Sequence, residues 1–192
     1  MKVSIIIATL PERKDFLEEA FESARNQTVP CEIIVEDGTD GACVALNRAA
    51  RRSSGDFIFN LDDDDILPEY AMERLKNEIG DSDVIFSDLL LYPSLKTFQQ
   101  KFTGYDDLIQ NNTLPGVLMT TRKAWQKVPF VEELNTGYDR ERNLRFCEAG
   151  LKIKHLPEYL YYYRQHPNQT QKLFPKEQTL NNLESKRKRI EK

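Results

Sequence analysis

Apolar and polar positions change their period several times along the chain, and each change marks an element. "VSIIIA" (Val3 to Ala8) is a continuous β-branched run, the pattern of a strand covered on both faces. In "DFLEEAFESARNQ" the period lengthens: Phe16, Ala20 and Ala24 share one helical face, with Leu17 and Phe21 beside them. "CEIIVEDG" predicts a second strand ending in acids and a glycine. "ACVALNRAARRSS" predicts a second helix, apolar on one side and basic late, where the helix dipole favours cations. "DFIFNL" predicts a third strand. "LPEYAMERLKNEIG" predicts a third helix, with Pro68 near its start and Gly80 at its end, and "DVIFSD" a fourth strand.

Strand and helix alternate through this half, which predicts parallel βαβ units with right-handed crossovers and helices on both faces. The second half is less regular. Tyr92 to Pro115 predicts a loop with one short helix. "GVLMT" predicts a strand, "TRKAWQKV" a helix behind it, and "GYDRERNLRFCEAG" a helix closed by Gly150. "KIKHL" and "EYLYYYR" predict two short strands, and a charged helix runs from Pro175 to the closing "KRKRIEK". Ligands in sheets of this kind bind beyond the carboxyl ends of the strands. Three such ends are polar here: Thr9, the pair Glu36 and Asp37, and Asp62 to Asp65. They are predicted to converge on one cleft.

At 192 residues the chain is long enough for one domain with a substantial core. A net charge of −4 does not indicate nucleic acid as a partner. No apolar run reaches the length of a membrane span. In the opening "MKVSIIIATLPERK" charges follow the apolar run at once and no small-residue cleavage site appears, so it is read as a strand and not a signal peptide. Cys31, Cys43 and Cys147 show neither metal spacing nor a disulfide framework and are expected as small buried hydrophobes in a reducing cytoplasm.

The four consecutive aspartates change the picture, because each charge raises the cost of ionising the next. An EF-hand reading would place Asp62, Asp64 and Glu73 at loop positions one, three and twelve. It fails because Ile66 and Leu67 stand where an oxygen ligand and a turn glycine are needed. An aspartate-nucleophile phosphatase also has a "DxD" after an apolar strand, but Ile66 stands where that group carries Thr or Val. The third reading is a DXD element, Asp62 and Asp64 about a variable residue, holding a divalent cation on the diphosphate of a nucleotide-sugar. On these residues alone a solvated acidic turn accounts for the run as well.

Five blocks, in order from Val3 to about Thr170, resemble family 2 glycosyltransferases of the GT-A fold. "SIIIATLPER" is similar to the family's "SIIIPTYNR" start, and "EIIVEDGTD" to "EIIVVDDGS". "ALNRAARRSSGDFIFNLDDDD" is similar to "ARNRG" followed by "GEYIxFLDxDD". "GYDRERNLRFCEAG" resembles "GEDWDLWLRLxxxG", and "IKHLPEYLYYYRQHPNQT" resembles "IxYIPEPLYYYRxHxxS". The resemblance implies an α/β, single-domain GT-A fold over 1–174, Rossmann-like, with a mixed, mostly parallel sheet and helices on both faces. The charged helix 175–192 would pack on it or extend from it.

The resemblance also assigns residues. Thr9 matches the position beside the nucleoside, and Glu36 and Asp37 the pair that reads base and ribose. A carboxylate can accept from a uracil imide or a ribose hydroxyl; the lesser alternative is that Glu36 caps a helix start. Asn47 and Arg48 match "NxG", with Ala49 in place of the glycine. Asp62 matches the acid near ribose or donor sugar, Asp64 the direct metal ligand, and Asp63 between them joins the donor set, as does Arg164 through its fork. His166 matches a histidine that ligates the metal or touches the diphosphate. Asp139 matches the catalytic base of inverting members, and a positioned carboxylate contributes ~10²–10⁴-fold to such a step. Read alone, Asp139 is an N-terminal helix acid favoured by the macrodipole. Tyr138 and Arg140 depart from the family's Glu and Trp, and Glu141 is the fallback base. Tyr161 to Tyr163 and Trp125 are read as core or alternating core and cleft positions, and "KRKR" as a solvated helix face.

The implied protein is a metal-dependent inverting transferase using Mn²⁺ or Mg²⁺ and a nucleotide-diphospho-sugar, a UDP-sugar first among them, with a glycan or other hydroxyl acceptor. It would work in the cytoplasm or at the inner membrane surface. Two alternatives stay open: a catalytically silent sugar-nucleotide or glycan-binding GT-A protein, and a nucleotidyltransferase on a related sheet.

Overall fold

A computed structural model describes residues 1–99, 102, 104–111, 117–169, 172 and 175–190. The elements are β1 (Val3–Thr9), α1 (Lys14–Arg25), β2 (Cys31–Asp37), α2 (Ala42–Arg52), β3 (Phe57–Asn60), α3 (Ala71–Glu78), β4 (Val84–Tyr92), β5 (Lys96–Phe98), α4 (Tyr105–Asn111), β6 (Met119–Thr121), α5 (Arg122–Lys127), α6 (Tyr138–Glu148), β7 (Ile153–Arg164) and α7 (Pro175–Ile190). A 3₁₀ turn, Pro11–Arg13, links β1 to α1. The expectations for Gly116, for 112–115, for Thr170 and for the last two residues lie outside the described residues.

The strands form one sheet in the order β2-β1-β3-β6-β4-β5, with β7 along the other edge of β4. β1 pairs in parallel with β2 and β3. β6 is antiparallel to both β3 and β4, so β4 and β7 run with the first three strands and only β5 and β6 are reversed. The result is a mixed, mostly parallel sheet with helices on both faces. The fourth strand of the βαβ series therefore does not lie beside the third. β6 stands between them, with Met119 in the core of one face and Leu118, just before it, in the core of the other.

Alternation within the apolar runs explains the layers. Ile5, Ile7, Phe57 and Phe59 face one core, shared with Ala20 and Ala24 of α1 and Met72 and Leu75 of α3. Ile6 and Ile58 face the other side, against Cys43, Leu46, Ala49 and Ala50 of α2 and Trp125 of α5. Successive strand residues point to opposite faces, so a strand covered on both sides must be apolar throughout.

Two expectations are corrected. The segment after Tyr92 is not simply loop and helix: β4 runs on to Tyr92 and turns back into β5, whose residues are all exposed and so lack an apolar signal. The pair of short strands is one strand, β7. Its register against β4 jumps from Ser87↔Leu156 to Asp88↔Tyr159, and the surplus residues are Pro157 and Glu158. Proline donates no backbone hydrogen bond, and a bulge is where a strand tolerates that.

Candidate active site

The carboxyl ends of β1, β2 and β3 lie side by side, with Thr9 paired to Asp37 in the β1–β2 register. The close approach favours glycine next: Gly38 donates to the Thr9 carbonyl at 2.8 Å, and a Cβ on it would lie a tight 3.2 Å from that oxygen. Beyond β3 the chain turns at once, Asp65 N–H donating to the Asp62 carbonyl at 3.2 Å. Ile66 then pairs with Tyr162 in both directions, at 3.1 and 2.9 Å, which ties the acidic turn to the end of β7.

The four aspartates have four different surroundings. Asp63 is buried and accepts from Thr9 Oγ1 at 2.7 Å and Arg13 Nη1 at 2.9 Å. Asp65 is 0% exposed and accepts from the Arg164 backbone N–H at 2.7 Å. Asp62 and Asp64 are half-buried. Asp64 Oδ2 meets Arg13 Nη1 at 3.2 Å and His166 Nε2 at 3.0 Å. Tyr161 turns its hydroxyl to the Asp62 N–H at 3.4 Å.

Crowded carboxylates hold their protons tightly. Burial, reinforced by the charges of Asp65, Asp139, Asp64 and Asp63, pushes Asp62 well above the usual carboxylate range. Burial and the Asp64 charge push Asp65 up to about 8 against the opposing Arg164 N–H. Asp63 is raised by burial too, though Thr9 and Arg13 oppose it.

Asp139 comes from the other half of the chain. Gly137, in the left-handed region at φ 69°, admits the chain to α6, and Asp139 lies in the first turn. Its charge adds to those that raise Asp62. The helix N-terminus was expected to favour the ionised form. Burial outweighs it and pushes Asp139 up to about 6, with the Arg142 guanidinium opposing. Glu141, the fallback base, points elsewhere: it takes Arg189 Nη1 and Nη2 at 2.9 Å each and the Ser185 hydroxyl of α7. Tyr138 packs its ring edge against Phe130 at 5.5 Å, towards the α2–α5 core.

Other predicted positions have contacts of their own. Glu36 is buried and held below its usual range by Arg48, whose Nε lies 2.7 Å away, and by Arg52. Arg48 also reaches Asp40 Oδ2 at 2.8 Å and the Asp37 carbonyl at 2.6 Å. Exposed Asp37 accepts from Thr39 N–H at 2.8 Å. Asn47 is buried on α2; its amide donates to the Phe130 carbonyl at 2.9 Å and to Glu132 Oε1 at 3.0 Å, and accepts from the Phe130 N–H at 3.0 Å. It braces the stretch between α5 and α6. Arg164 donates to the Asp64 carbonyl at 2.8 Å and to Glu19 at 2.7 Å. Trp125 is core, with the Arg142 guanidinium 3.7 Å above its ring.

Arg13 was missed. Its guanidinium bridges Asp63 and Asp64 from the 3₁₀ turn that follows Thr9. The signal was available: a cation four residues beyond a strand end that was already predicted to line the cleft.

The donor set suits a hard divalent cation. Oxygens of Asp62, Asp64 and Asp65 lie within 4.8 Å of one another, and Mg²⁺ and Mn²⁺ prefer carboxylate oxygens. His166 suits the role less simply. Its Nδ1 is buried with no hydrogen-bond partner among the described residues, whereas a metal-ligating histidine usually donates its other N–H. The tautomer that satisfies the contacts carries the proton on Nε2 and donates it to Asp64.

A Rossmann-like, mostly parallel sheet flanked by helices, with an acidic turn at the third strand end, is the GT-A arrangement. The chain belongs to glycosyl transferase family 2, whose profile matches residues 29–156. Solved structures share the fold. TarS 1-349 of S. aureus in complex with UDP superposes at TM-score 0.74 and 18% identity, covering 87% of this chain and 61% of that one. The same protein in complex with UDP-GlcNAc matches at TM-score 0.74 and 17% identity, covering 88% and 60%. The mannosyltransferase PcManGT of Pyrobaculum calidifontis, in complex with GDP-Man and Mn²⁺, matches at TM-score 0.71 and 14% identity, covering 100% and 64%. The chain thus spans about three fifths of the length of these structures. No curated protein matches it. Among the described residues no helix is long and apolar enough to cross a membrane.

Proposed function

We propose that this chain is the catalytic domain of an inverting glycosyltransferase that takes its sugar from a nucleotide-diphospho-sugar and hands it to an acceptor hydroxyl. Two features of the carboxylates support the reading. Asp62, Asp64 and Asp65 form a tight oxygen cluster on the turn after β3. Asp139 approaches from α6 with a pKa near neutrality, about 6.

Asp64, with Asp62, would hold Mn²⁺ or Mg²⁺, which when bound offsets negative charge on a leaving diphosphate. The neighbours' complexes with UDP, UDP-GlcNAc, and GDP-Man with Mn²⁺ support a nucleotide-sugar donor. Thr9 and Asp37, at adjacent strand ends, stand where the nucleoside would lie, while Glu36 and Arg48 act together as the ion-paired floor beneath it. Asp139 accepts the acceptor's proton as the hydroxyl attacks. A pKa of about 6 leaves it ionised at neutral pH yet basic enough to take the proton. One base on the face opposite the leaving group gives inversion at the anomeric carbon. Tyr138, where the family has Glu, packs toward the core rather than into the cleft, which favours a working site over a silent binder.

The test is calorimetry with UDP and GDP, with and without Mn²⁺, followed by donor-hydrolysis assays on the matching sugar nucleotides. Metal-dependent binding with slow donor hydrolysis is expected. Tight binding with no turnover on any donor would favour the silent binder, and equal affinity with and without metal would remove the metal from the reading.

A further inference from the structure

The four aspartates were expected to hold something cationic, and the chain places a cation of its own there. Arg13 Nη1 lies 2.9 Å from Asp63 Oδ1 and 3.2 Å from Asp64 Oδ2. Its Nη2 donates to the Asn168 carbonyl at 3.3 Å, beyond the end of β7. The side chain is only 17% exposed. It reaches the cluster from a turn whose first residue is Pro11, a short and restricted link to β1. His166 Nε2 reaches the same Asp64 oxygen at 3.0 Å. One carboxylate oxygen thus already receives two donors.

We infer that Arg13 is an exchangeable counter-ion that occupies Asp64 in the donor-free protein and makes divalent-metal binding depend on arrival of the diphosphate. The inference rests on the metal-dependent reading above and goes beyond it. A divalent ion bound through Asp64 Oδ2 and a guanidinium on the same oxygen repel each other. Metal alone must therefore displace Arg13 from Asp64. The guanidinium would then lose one of its two carboxylate contacts while keeping Asp63 and the Asn168 carbonyl, a loss that is costly at a partly buried position. A diphosphate changes that balance, because its oxygens match the planar fork that Asp64 gives up. Metal and nucleoside diphosphate then bind with positive coupling, each strengthening the other by the same factor. Asp63 is the pivot: held by Thr9 as well as Arg13, it keeps the guanidinium beside the cluster in both states.

The experiment titrates Mn²⁺ into the purified chain, followed by the electron paramagnetic resonance of free Mn²⁺, with and without UDP or GDP. Wild type should bind Mn²⁺ weakly alone and much more tightly with the nucleotide. In Arg13→Gln, Mn²⁺ alone should bind ~10-fold tighter, and the boost from nucleotide should shrink correspondingly, within the range usual for linked sites. Arg13→Met carries no hydrogen-bonding group and gives the same readout should glutamine re-form a bond to Asp64 or fail to fold. Thermal melts establish which variants are folded. Unchanged or weaker Mn²⁺ affinity in a folded variant, with coupling still present, overturns the role of Arg13 and leaves the metal-dependent reading standing. No Mn²⁺ binding to wild type even with nucleotide overturns both.

Discussion

Helix α6 carries two carboxylates two residues apart, Asp139 and Glu141, and they have opposite electrostatic fates. Asp139 is half-buried in the first turn; desolvation, opposed by the Arg142 charge, raises it to about 6. Glu141 is also penalised by burial, but the two-pronged Arg189 contact and the Ser185 hydroxyl outweigh that and hold it below its usual range. The same helix end, and so the same dipole, acts on both. The difference comes from what faces them. At the cleft the protein leaves carboxylates crowded, while at the α6–α7 contact it pairs them. Asp62 and Asp65 on the β3 turn belong with Asp139, and Glu148, which also meets Arg189 at 2.6 Å, belongs with Glu141. Crowding of this kind, retained at the expense of stability, is the pattern expected where charge is used, and it agrees with the proposed site.

The sharpest way to break this division is to remove the charge on either side of the helix. Asp139→Asn keeps size and hydrogen bonding but cannot take a proton, so kcat should fall by ~10²-fold or more, with donor and metal affinity little changed. Glu141→Gln should leave kcat near wild type. In wild type, activity should decline as pH falls through about 6, where Asp139 becomes protonated. Transfer kinetics on both variants check this, and the reverse ranking would move the base to Glu141.

Asp64→Ala should remove the advantage that Mn²⁺ or Mg²⁺ gives to nucleoside diphosphate binding while leaving the fold intact. Its effect is expected on binding and turnover together, unlike that of Asp139→Asn. Calorimetry with metal and with chelator measures it, and a persisting metal advantage would transfer the ligand role to Asp62 and Asp65.

The contrast between the two regions was only half visible in the sequence. β1 to β4 and their helices declare themselves because strands buried on both faces must be continuously apolar, as "SIII" and "FIF" are. The adjacency of the polar strand ends was legible by the same logic, since polar residues directly after such runs lie at strand ends. What local pattern cannot carry is pairing at long range. Nothing in "GVLMT" says that β6 inserts antiparallel between β3 and β4, and exposed β5 has no buried face to reveal it. Asn47 looked like a donor contact because of its place in a motif, yet its amide meets Phe130, far along the chain. Arg13 was hidden for the same reason: its partners lie fifty residues away.

On the paired side, Arg189→Ala leaves Glu141 and Glu148 without their shared cation. Charged hydrogen bonds of this kind are worth ~1.5–3 kcal/mol, so the melting temperature should drop by several degrees. Donor affinity should change little, since Asn181 still ties α7 to Thr136 at 3.0 Å. Thermal melts check this, and an unchanged melting temperature would mean that the contact is too solvated to contribute.

The most direct probe of the contrast is pH, because opposite pKa shifts give opposite slopes of stability with pH. A carboxylate in an unfolded chain loses its proton near pH ~4. In the folded, metal-free protein Asp139 keeps its proton to about 6 and Asp65 to about 8. Between these limits the folded state binds more protons than the unfolded state, so stability falls as pH rises, by at most about 1.4 kcal/mol per pH unit for each group. Glu141, Glu148 and Glu36 are shifted down. Their contribution is present above pH ~4.5 and is lost only as pH falls through their lowered values. The metal-free protein should therefore be most stable on the acid side of neutrality and lose melting temperature steadily from pH 5 to 8. Asp65→Asn should flatten the upper part of that slope, and saturating Mn²⁺ with UDP or GDP should flatten it as well, because a bound cation favours the ionised cluster. Arg189→Ala should instead lower the curve most above pH 5, where the pair it breaks is fully charged. Melting curves across this range measure all three, and a stability that rises from pH 6 to 8 without metal would mean that the cleft carboxylates are compensated after all.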